Sequence, residues 1–256
     1  MRNAYFHTVN GLLNKFESIS LNEMDNVKLM DRTDVKFALS FDKLNSILEP
    51  LSTHYRVLTI NSHRVFSYRT DYFDTPDLTM YIDHHNGKLN RFKVRQREYI
   101  ESSLSFLEVK FKSNKGRVIK DRIKSSVNDQ PAFTGFIREH TPYNPQSLNI
   151  KVVNHFNRFT LVDNQMRERV TVDLNLSFSD YIQRQWLNGL VIIEVKQNKI
   201  DKNSIIFDVL KKNALRPASI SKYCLGVSLL NTKSKFNNFK KTLLMIKKLS
   251  HVELTA

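Results

Sequence analysis

The sequence predicts an α+β fold: an eight-stranded antiparallel β-barrel tunnel with a charged lumen, and helices packed outside it. Three observations predict this class. Eight segments alternate apolar and charged residues with a period of two, as strands with two different faces do. The connections between most of these segments are short, which favours antiparallel neighbours. Eight strands are also enough to close a barrel. The apolar faces would then meet the helices, and the charged faces would line a wet lumen.

The N-terminal region predicts two helices, because apolar residues recur at helical spacing over residues 3–17 and again over 21–27. Ser20 and Glu23 have the spacing of a capping box at the start of the second helix. The segments that alternate as strands are residues 32–39, 65–73, 91–98, 107–112, 119–124, 152–162, 167–178 and 190–198.

Further helices are predicted for residues 41–51, 204–210 and from 219 onward, with a short helical segment before His84 and at most one short helix between 131 and 145. Residues 233–248 predict a basic amphipathic helix. We expect one domain over residues 1–256. It is divided into N-terminal helices (1–30), the tunnel (31–230) and the basic C-terminal helix (231–256).

The stretch from residue 91 to residue 124 is one-sided in charge. Three successive predicted strands place cations on one face and apolar residues on the other, namely Arg91, Lys93, Arg95 and Arg97, then Lys110 and Lys112 with Glu108, then Lys120, Arg122 and Lys124. A solvated face of a half-exposed sheet is the plain alternative. Like charges opposite one another destabilise a sheet, however, and a face that only needed solubility would mix both signs. The pattern therefore indicates a missing anion, such as a polyphosphate or a polynucleotide.

Composition supports an anionic partner. The chain has 256 residues and a formal net charge of +15. Such a charge favours nucleic acid, a phosphate-rich small molecule or an acidic membrane surface. The single cysteine, Cys224, excludes an internal disulfide and a cysteine-based metal cluster. The sequence shows no apolar leader segment and no run long enough to cross a bilayer, so we expect a soluble, cytoplasmic protein.

A lumen of Arg and Lys with a few carboxylates is suited to phosphoryl transfer, because cations hold phosphate oxygens and a carboxylate can hold a divalent metal. Glu194 is the best metal candidate, with Glu108 and Asp34 behind it. A salt bridge is the alternative for all three and is favoured for Asp34 and Glu108. The adjacent His84 and His85 predict a solvated surface pair. Ser219–Lys222 predicts a helix N-cap, and Lys222 could close one end of the lumen.

The ordered motifs resemble a known family. R-T-D-V-K-F, Y-F-D-T, R-F-K-V-R-Q-R-E-Y, L-E-V-K-F-K, V-I-K-D-R, N-R-F, R-V-T-V-D, I-I-E-V-K and S-K-Y are similar to the VTC (vacuolar transporter chaperone) polyphosphate polymerase domain. This domain is a branch of the triphosphate tunnel metalloenzyme (CYTH-like) superfamily. The resemblance runs from about residue 20 to residue 230. It implies an eight-stranded antiparallel tunnel, ATP as substrate, and Mn²⁺ or Mg²⁺ as cofactor.

Position by position, the resemblance implies a phosphate-binding set made of Arg32, Lys36, Arg95, Arg97, Lys110, Lys120, Arg122, Arg158, Arg169, Lys196 and Lys222. It implies catalytic roles for Lys110, Arg95, Arg97 and Glu194, with Glu194 as the metal ligand. One position departs from the family. Asp34 stands where the VTC branch has a glutamate, which weakens any metal contact from the first strand.

Three functions follow as hypotheses. The first is an ATP-dependent polyphosphate polymerase, the second a triphosphatase of the same fold, and the third a non-catalytic module that binds polyphosphate, inositol phosphates or nucleic acid. The excess of cations over carboxylates favours the polymerase over the triphosphatase. Nucleic acid is disfavoured, because its stacking aromatics would belong on the basic face. Eukaryotic relatives work with membrane partners, so a membrane-protein partner for export is a further hypothesis. The basic C-terminal helix is the candidate for membrane association, a plain surface helix being the alternative.

Overall fold

The computed structural model describes residues 2–25, 33–126, 128–231 and 234–250. Its strands are β1 (Glu17–Ile19), β2 (Thr33–Ser40), β3 (Tyr55–Leu58), β4 (Phe66–Asp74), β5 (Arg91–Tyr99), β6 (Leu104–Lys112), β7 (Val118–Lys124), β8 (Asn149–Asp163), β9 (Glu168–Ser179), β10 (Arg184–Trp186) and β11 (Leu190–Gln197). Its helices are α1 (Arg2–Leu13), α2 (Leu21–Asp25), α3 (Leu44–Leu48), α4 (Thr79–His85), α5 (Gln130–His140), α6 (Ile205–Lys212), α7 (Lys222–Leu230) and α8 (Lys240–Ser250).

All eight predicted strands are present, and they form one continuous path in the order β2-β11-β9-β8-β4-β5-β6-β7. Every pairing along this path is antiparallel. Three further strands were not predicted: β1 pairs with β3 in parallel, β3 also pairs with β8, and β10 pairs with β9. These strands have three or four residues, which is too short to show a period of two.

The large antiparallel sheet confirms the α+β class, but hydrogen-bonded closure into a barrel is not confirmed. Within the described ranges, β2 and β7 are the two ends of the path and do not pair with each other. The two ends nevertheless face a common space, because Lys36 on β2 and Glu194 on β11 act electrostatically on Lys110 of β6. The sheet is therefore curved enough for its charged faces to converge.

The outer face of the sheet is apolar and carries most of the helices. In β11, Val191, Ile193 and Val195 alternate with the charged residues and are buried in one core with side chains of α1, α3 and α6. A second core joins α5 to the outer sides of β5 and β6. Burial of apolar area at roughly 25 cal/mol per Å² is the main stabilising term for such a core. These helices lie where the alternation predicted them.

Helix α7 packs on the other face of the sheet, which differs from the predicted arrangement of helices outside the strands. Ile192 shares its face of β11 with Glu194, and it belongs to the same buried cluster as Tyr223 and Cys224 of α7. The approach is close at Gly226, where a Cβ would lie 2.5 Å from Val152 Cγ1. The concave face therefore has an apolar half covered by α7 and a charged half.

Two sequence motifs position α7. Ser221 caps the helix, because its Oγ accepts a hydrogen bond from Cys224 N–H at 3.3 Å. Asp74 of the Y-F-D-T motif accepts from the N–H groups of Met80 and Tyr81, both at 2.9 Å, and from the hydroxyl of Tyr223. The carboxylate of Asp74 therefore ties the start of α4 to the S-K-Y motif at the start of α7.

The terminal helices agree with the sequence patterns in part. Ser20 N–H donates to Glu23 Oε2 at 2.9 Å and Glu23 N–H donates to Ser20 Oγ at 3.3 Å, which confirms the capping box of α2. The basic helix α8 begins only at Lys240, seven residues later than predicted, and runs to Ser250. None of the described helices combines the length and the apolar character that a membrane crossing requires.

Candidate functional site

The β5–β6–β7 part of the charged face is organised around one carboxylate. Glu108 on β6 is in register with Arg95 on β5 and Arg122 on β7. Arg95 Nε donates to Glu108 Oε2 at 2.5 Å, and Lys120 forms an ion pair with the other oxygen. Burial would raise the pKa of Glu108, but Arg95, Arg97 and Lys120 together lower it to about 2. Glu108 is thus a salt-bridge partner in this structure, as the plain alternative predicted.

A second carboxylate organises the opposite side of the face. Arg158 of β8 binds Asp173 of β9 through two parallel hydrogen bonds of 2.5 and 2.9 Å, and Lys222 of α7 pairs with the same carboxylate. Burial would raise the pKa of Asp173, but the charges of Arg158 and Lys222 hold it below its usual range. Burial lowers the pKa of Lys222 to about 8 despite its partner. Lys222 therefore lies on the charged face beside Arg158, and its predicted closing of one end of the lumen stays a prediction.

Glu194 on β11 is the third carboxylate of the face. Lys196 Nζ lies 2.6 Å from Glu194 Oε2 and 2.9 Å from Thr171 Oγ1, and Lys36 Nζ lies 3.6 Å from Glu194 Oε1. Burial would raise the pKa of Glu194, but Lys196, Lys36 and Arg158 hold it well below its usual range. Glu194 is therefore ionised at neutral pH and flanked by two lysines.

Aromatic rings separate these clusters on the charged face. The guanidinium of Arg97 lies 5.8 Å from the ring of Tyr68 and 5.7 Å from that of Phe156, and its Nε donates to Thr70 Oγ1 at 3.2 Å. Tyr68 and Phe156 stack at 5.0 Å. The guanidinium of Arg158 lies 5.4 Å from the ring of Tyr68 and 5.3 Å from that of Phe156. These contacts fix the guanidinium planes of Arg97 and Arg158, which the sequence patterns gave no means of predicting.

The structure brings most of the predicted site residues to one face. Lys36, Arg95, Arg97, Lys110, Lys120, Arg158, Lys196, Lys222 and Glu194 all contribute to it through the registers and contacts given above. Arg122 packs over the ring of Phe106 at 4.9 Å. Arg169 is in register with Lys196 and donates to the Met24 carbonyl at 3.4 Å. Arg32 lies outside the described residues. The catalytic and binding roles of these side chains remain predictions.

Sequence reasoning missed two participants and misjudged a third. Asp173 was not among the predicted site residues, although it is 1% exposed and pairs with both Arg158 and Lys222. Lys93 belongs to the predicted Arg91–Arg97 row but was left out of the binding set, and its Nζ donates to Ser221 Oγ at 3.0 Å. The surface interpretation of His85 is wrong: it is 3% exposed, and its Nε2 accepts from Asn238 N–H at 3.2 Å.

The donor set fits a metal that arrives with its substrate better than one held by the protein alone. In the ranges that the structure describes, no group of three or more Asp, Glu, His or Cys side chains is placed to hold a metal ion. Glu194 offers one carboxylate, and Asp34 is in register with Lys196 on the neighbouring strand. Mg²⁺ is commonly bound by one or two carboxylates together with substrate phosphates. Glu194 is therefore suited to complete such a coordination shell.

Comparisons with known proteins support a family assignment. The model of the VTC domain family matches residues 31–231. No curated protein matches the sequence. An adenylate cyclase candidate from Vibrio parahaemolyticus is similar in structure, with a TM-score of 0.44, 10% identity, and coverage of 74% of this chain and 95% of the other. HpAC1 from Hippeastrum, an adenylyl cyclase candidate described as having a dominant triphosphatase activity, has a TM-score of 0.49, 13% identity, and coverage of 79% and 100%. At these scores the structural likeness adds nothing to the family assignment.

Proposed function

Because the chain belongs to the VTC domain family, we propose that it is an ATP-dependent polyphosphate polymerase, which transfers the terminal phosphate of ATP to a growing inorganic polyphosphate chain. The observation that carries this proposal is the convergence of cations from β2, β5, β6, β7, β8, β11 and α7 on one face, around the carboxylates of Glu108, Asp173 and Glu194. A single phosphate would contact only a few of these cations. A triphosphate aligned with the end of a polyphosphate chain would contact cations along the whole face.

The side chains divide the work of phosphoryl transfer. Arg95, Arg97 and Lys110 on one side, with Arg158 and Lys222 on the other, would hold the non-bridging oxygens of ATP and of the acceptor in line. A terminal oxygen of the chain forms a bond to the γ-phosphorus, and the bond to the β,γ-bridging oxygen breaks. ADP leaves with the electron pair. No proton transfer is needed, because the acceptor is already an anion, so positioning and charge stabilisation supply the catalysis.

A divalent metal, Mn²⁺ or Mg²⁺, is part of the proposal. Glu194 would hold it together with phosphate oxygens, and its chemistry there is to withdraw charge from the transferring phosphoryl group. Lys196 and Lys36 would then contact phosphate instead of Glu194. Their present pairing with the carboxylate keeps both ammonium groups on the face of the site before any substrate binds.

The direct test is incubation of the purified protein with ATP and Mn²⁺, following ADP release and the formation of nuclease-resistant chains on a gel. We expect chains that a phosphatase degrades. Free phosphate without chains would identify a triphosphatase of the same fold. Binding of polyphosphate without turnover of any nucleoside triphosphate would identify a non-catalytic module and would reject the polymerase.

The role of Glu194 has its own test. Glu194→Gln keeps the size of the side chain but removes the charge that a metal needs, so we expect turnover to fall by at least about 100-fold, the scale of losing one electrostatic group. Metal-free binding of tripolyphosphate should be retained. Glu139→Gln is the matched control, because Glu139 is 75% exposed on α5. Equal turnover of the Glu194 variant and the wild type would remove Glu194 from the mechanism.

A further inference from the structure

Four basic side chains gather where α4 and α7 approach the start of β5. Arg91 on β5 and Lys112 on β6 are directly opposite each other in register, and Lys93 follows Arg91 on the same face. His84 lies in the last turn of α4, a helix that packs against both β5 and α7. We call these four residues the mouth cluster. Burial, followed by Lys93, Arg91 and Lys112 in that order, lowers the pKa of His84 to about 3, so all four groups lie within one electrostatic neighbourhood.

The mouth cluster lacks the carboxylates found elsewhere on the face. In the described parts of the chain, no carboxylate lies within ion-pair distance of Arg91, Lys93 or Lys112. Their acceptors are neutral: Arg91 donates to the Lys88 carbonyl at 2.7 Å, and Lys93 to Ser221 Oγ at 3.0 Å. Asp83 of α4 is already paired with Lys88 at 3.1 Å. Cations this close without compensation repel one another.

The imidazole of His84 adds an unpaired polar atom to the same place. Its Nδ1 is buried and has no hydrogen-bond partner among the described residues. A buried polar atom without a partner costs about 1–3 kcal/mol, so it calls for a ligand or a role. The sequence interpretation of His84 as solvated surface gave no reason to expect this. An anion oxygen in the cluster would relieve the repulsion, and the neutral imidazole of His84, protonated at Nδ1, could donate to it.

We propose that the mouth cluster is a second phosphate site, which holds phosphate groups of a polyphosphate chain beyond the reacting end. This inference rests on the proposed function. Arg91 is four residues from Arg95 on one strand, a separation of about 13 Å. A triphosphate bound at Arg95 and Glu194 does not extend that far, whereas a chain does. The cluster therefore favours the binding of long chains over that of ATP or tripolyphosphate. It lies at the end of the cationic face, where the chain leaves the protein.

The test compares binding of a long polyphosphate with binding of tripolyphosphate, without divalent metal, for wild type, Lys112→Met and the double variant Arg91→Met/Lys112→Met. We expect long-chain affinity to fall about tenfold per lost charge, the scale of one charge-assisted hydrogen bond, with tripolyphosphate affinity unchanged. The salt dependence of long-chain binding should decrease by about one unit of slope per residue. Lys211→Met, an exposed lysine of α6, is the control. Lys112 is only half-buried, so its single variant tests the cluster even if the double variant fails to fold.

Each outcome decides the matter. Equal losses for long chain and tripolyphosphate would place these residues in the central site and overturn the inference, while leaving the polymerase intact. Unchanged long-chain binding would overturn it as well. If the variants weaken the binding of an oligonucleotide of matched charge equally, the cluster is a general polyanion-binding surface and the inference is overturned. A wild-type protein that binds tripolyphosphate but not long chains would reject both this inference and the polymerase. A histidine NMR signal that is absent from His84→Asn and shifts only with the long chain would place the ligand at the cluster.

Discussion

The centre of the cationic face and the mouth cluster hold their cations in opposite ways. At the centre, Arg158 and Lys222 share the carboxylate of Asp173, and Lys196 pairs with Glu194. At the mouth, no described carboxylate pairs with Arg91, Lys93 or Lys112. The centre is therefore ordered by the fold itself, whereas the mouth carries net positive charge that the fold does not compensate.

The difference has an energetic meaning. A buried cation that binds a carboxylate through two hydrogen bonds is fixed in position. It destabilises the substrate-free protein little, because its charge is already balanced. A cation without a countercharge lowers the stability of the folded protein until an anion binds. Binding of the anion then stabilises the folded protein by a correspondingly large amount. We infer that the paired cations of the centre fix the geometry of the bound phosphates. The cations of the mouth cluster, which have no carboxylate partner among the described residues, contribute more of the binding affinity. The following predictions test this division, from the largest expected effect to the smallest.

Asp173→Asn removes a countercharge at the centre of the cationic face. The substitution leaves Arg158 and Lys222 buried without their shared countercharge, so we expect the free energy of unfolding to fall by about 3–5 kcal/mol, as for other broken buried ion pairs. Urea unfolding measures it. Asp208→Asn is the control, because its exposed pair with Lys212 on α6 should contribute only about 0–1 kcal/mol. A loss no larger than that of the control would mean that Asp173 does not organise the centre.

Gly226→Ala tests how α7 delivers Lys222 to the centre. The added Cβ would lie 2.5 Å from Val152 and 2.8 Å from Phe178, both in the core under the helix. Overpacking of this kind costs about 1–3 kcal/mol, and it should also weaken tripolyphosphate binding by displacing Lys222. Thermal unfolding and binding measure the two effects. Gly135→Ala on α5 is the control, since nothing lies near its Cβ position. If both variants behave alike, the close approach of α7 is not required.

The pH dependence of Lys93 separates stability from binding. Burial lowers its pKa from 10.5 to about 7; Cys224 opposes this shift, and Lys36, Lys110 and Arg91 add to it. Between pH 7 and 10 the unfolded lysine holds a proton that the folded one has lost, so stability should rise with pH, by at most about 1.4 kcal/mol per pH unit.

Anion affinity should change in the opposite direction over the same range, because only the protonated ammonium binds phosphate. Urea unfolding and phosphate binding, each measured at several pH values, test both signs. Lys93→Met should reduce the slope of both profiles without removing it, because burial also lowers the pKa values of Lys120, Lys196 and Lys222 to about 8. A wild-type stability that falls between pH 7 and 10, with no change in the variant, would show that Lys93 keeps an ordinary pKa.

Lys110→Ala should have the smallest effect on stability. Lys110 is in register with Lys93, and burial together with Lys36 and Arg95 lowers its pKa. Removing this cation should leave the free energy of unfolding within about 0.5 kcal/mol of the wild type or raise it, as for substitutions that break no special contact. Tripolyphosphate binding should still weaken by about tenfold. A clear loss of stability would show that Lys110 makes a stabilising contact in the folded protein.

Much of this arrangement was predictable from alternation. The period of two gave all eight strands of the path and grouped the cations of each strand by face, because successive side chains of a strand must point to opposite sides. Arg69 of β4 is an exception to the cationic face, since it is in register with Glu98 and lies on the opposite side from Arg95 and Arg97. Local chemistry also gave the capping box at Ser20 and the cap of α7 at Ser221. The pairing of Glu108 with cations was expected from the rows of cations predicted on its own strand and on both neighbouring strands, and its partners are Arg95 and Lys120.

Other features required the fold. Asp74 and Tyr223 are 149 residues apart, and no local pattern indicates that they bond. The burial of His85 depends on Asn238 and on the ring of Phe239, which the chain brings back only after α7. Closure of the barrel was predicted from the number of strands and is not confirmed. The number of strands does not by itself decide closure, because the pairing of the two end strands depends on how strongly the whole sheet curves.

The sequence by itself determined which side chains share a face, and with it the cationic character of the site, because face membership depends only on backbone geometry between neighbouring residues. The tertiary structure decided which of those cations are neutralised. That choice depends on strand order, which sets Arg158 beside Asp173, and on the path of α7, which brings Lys222 to them and fills the apolar half of the concave face. Coulomb interactions act between side chains that are close in space, and this closeness is not recorded in the spacing of residues along the chain.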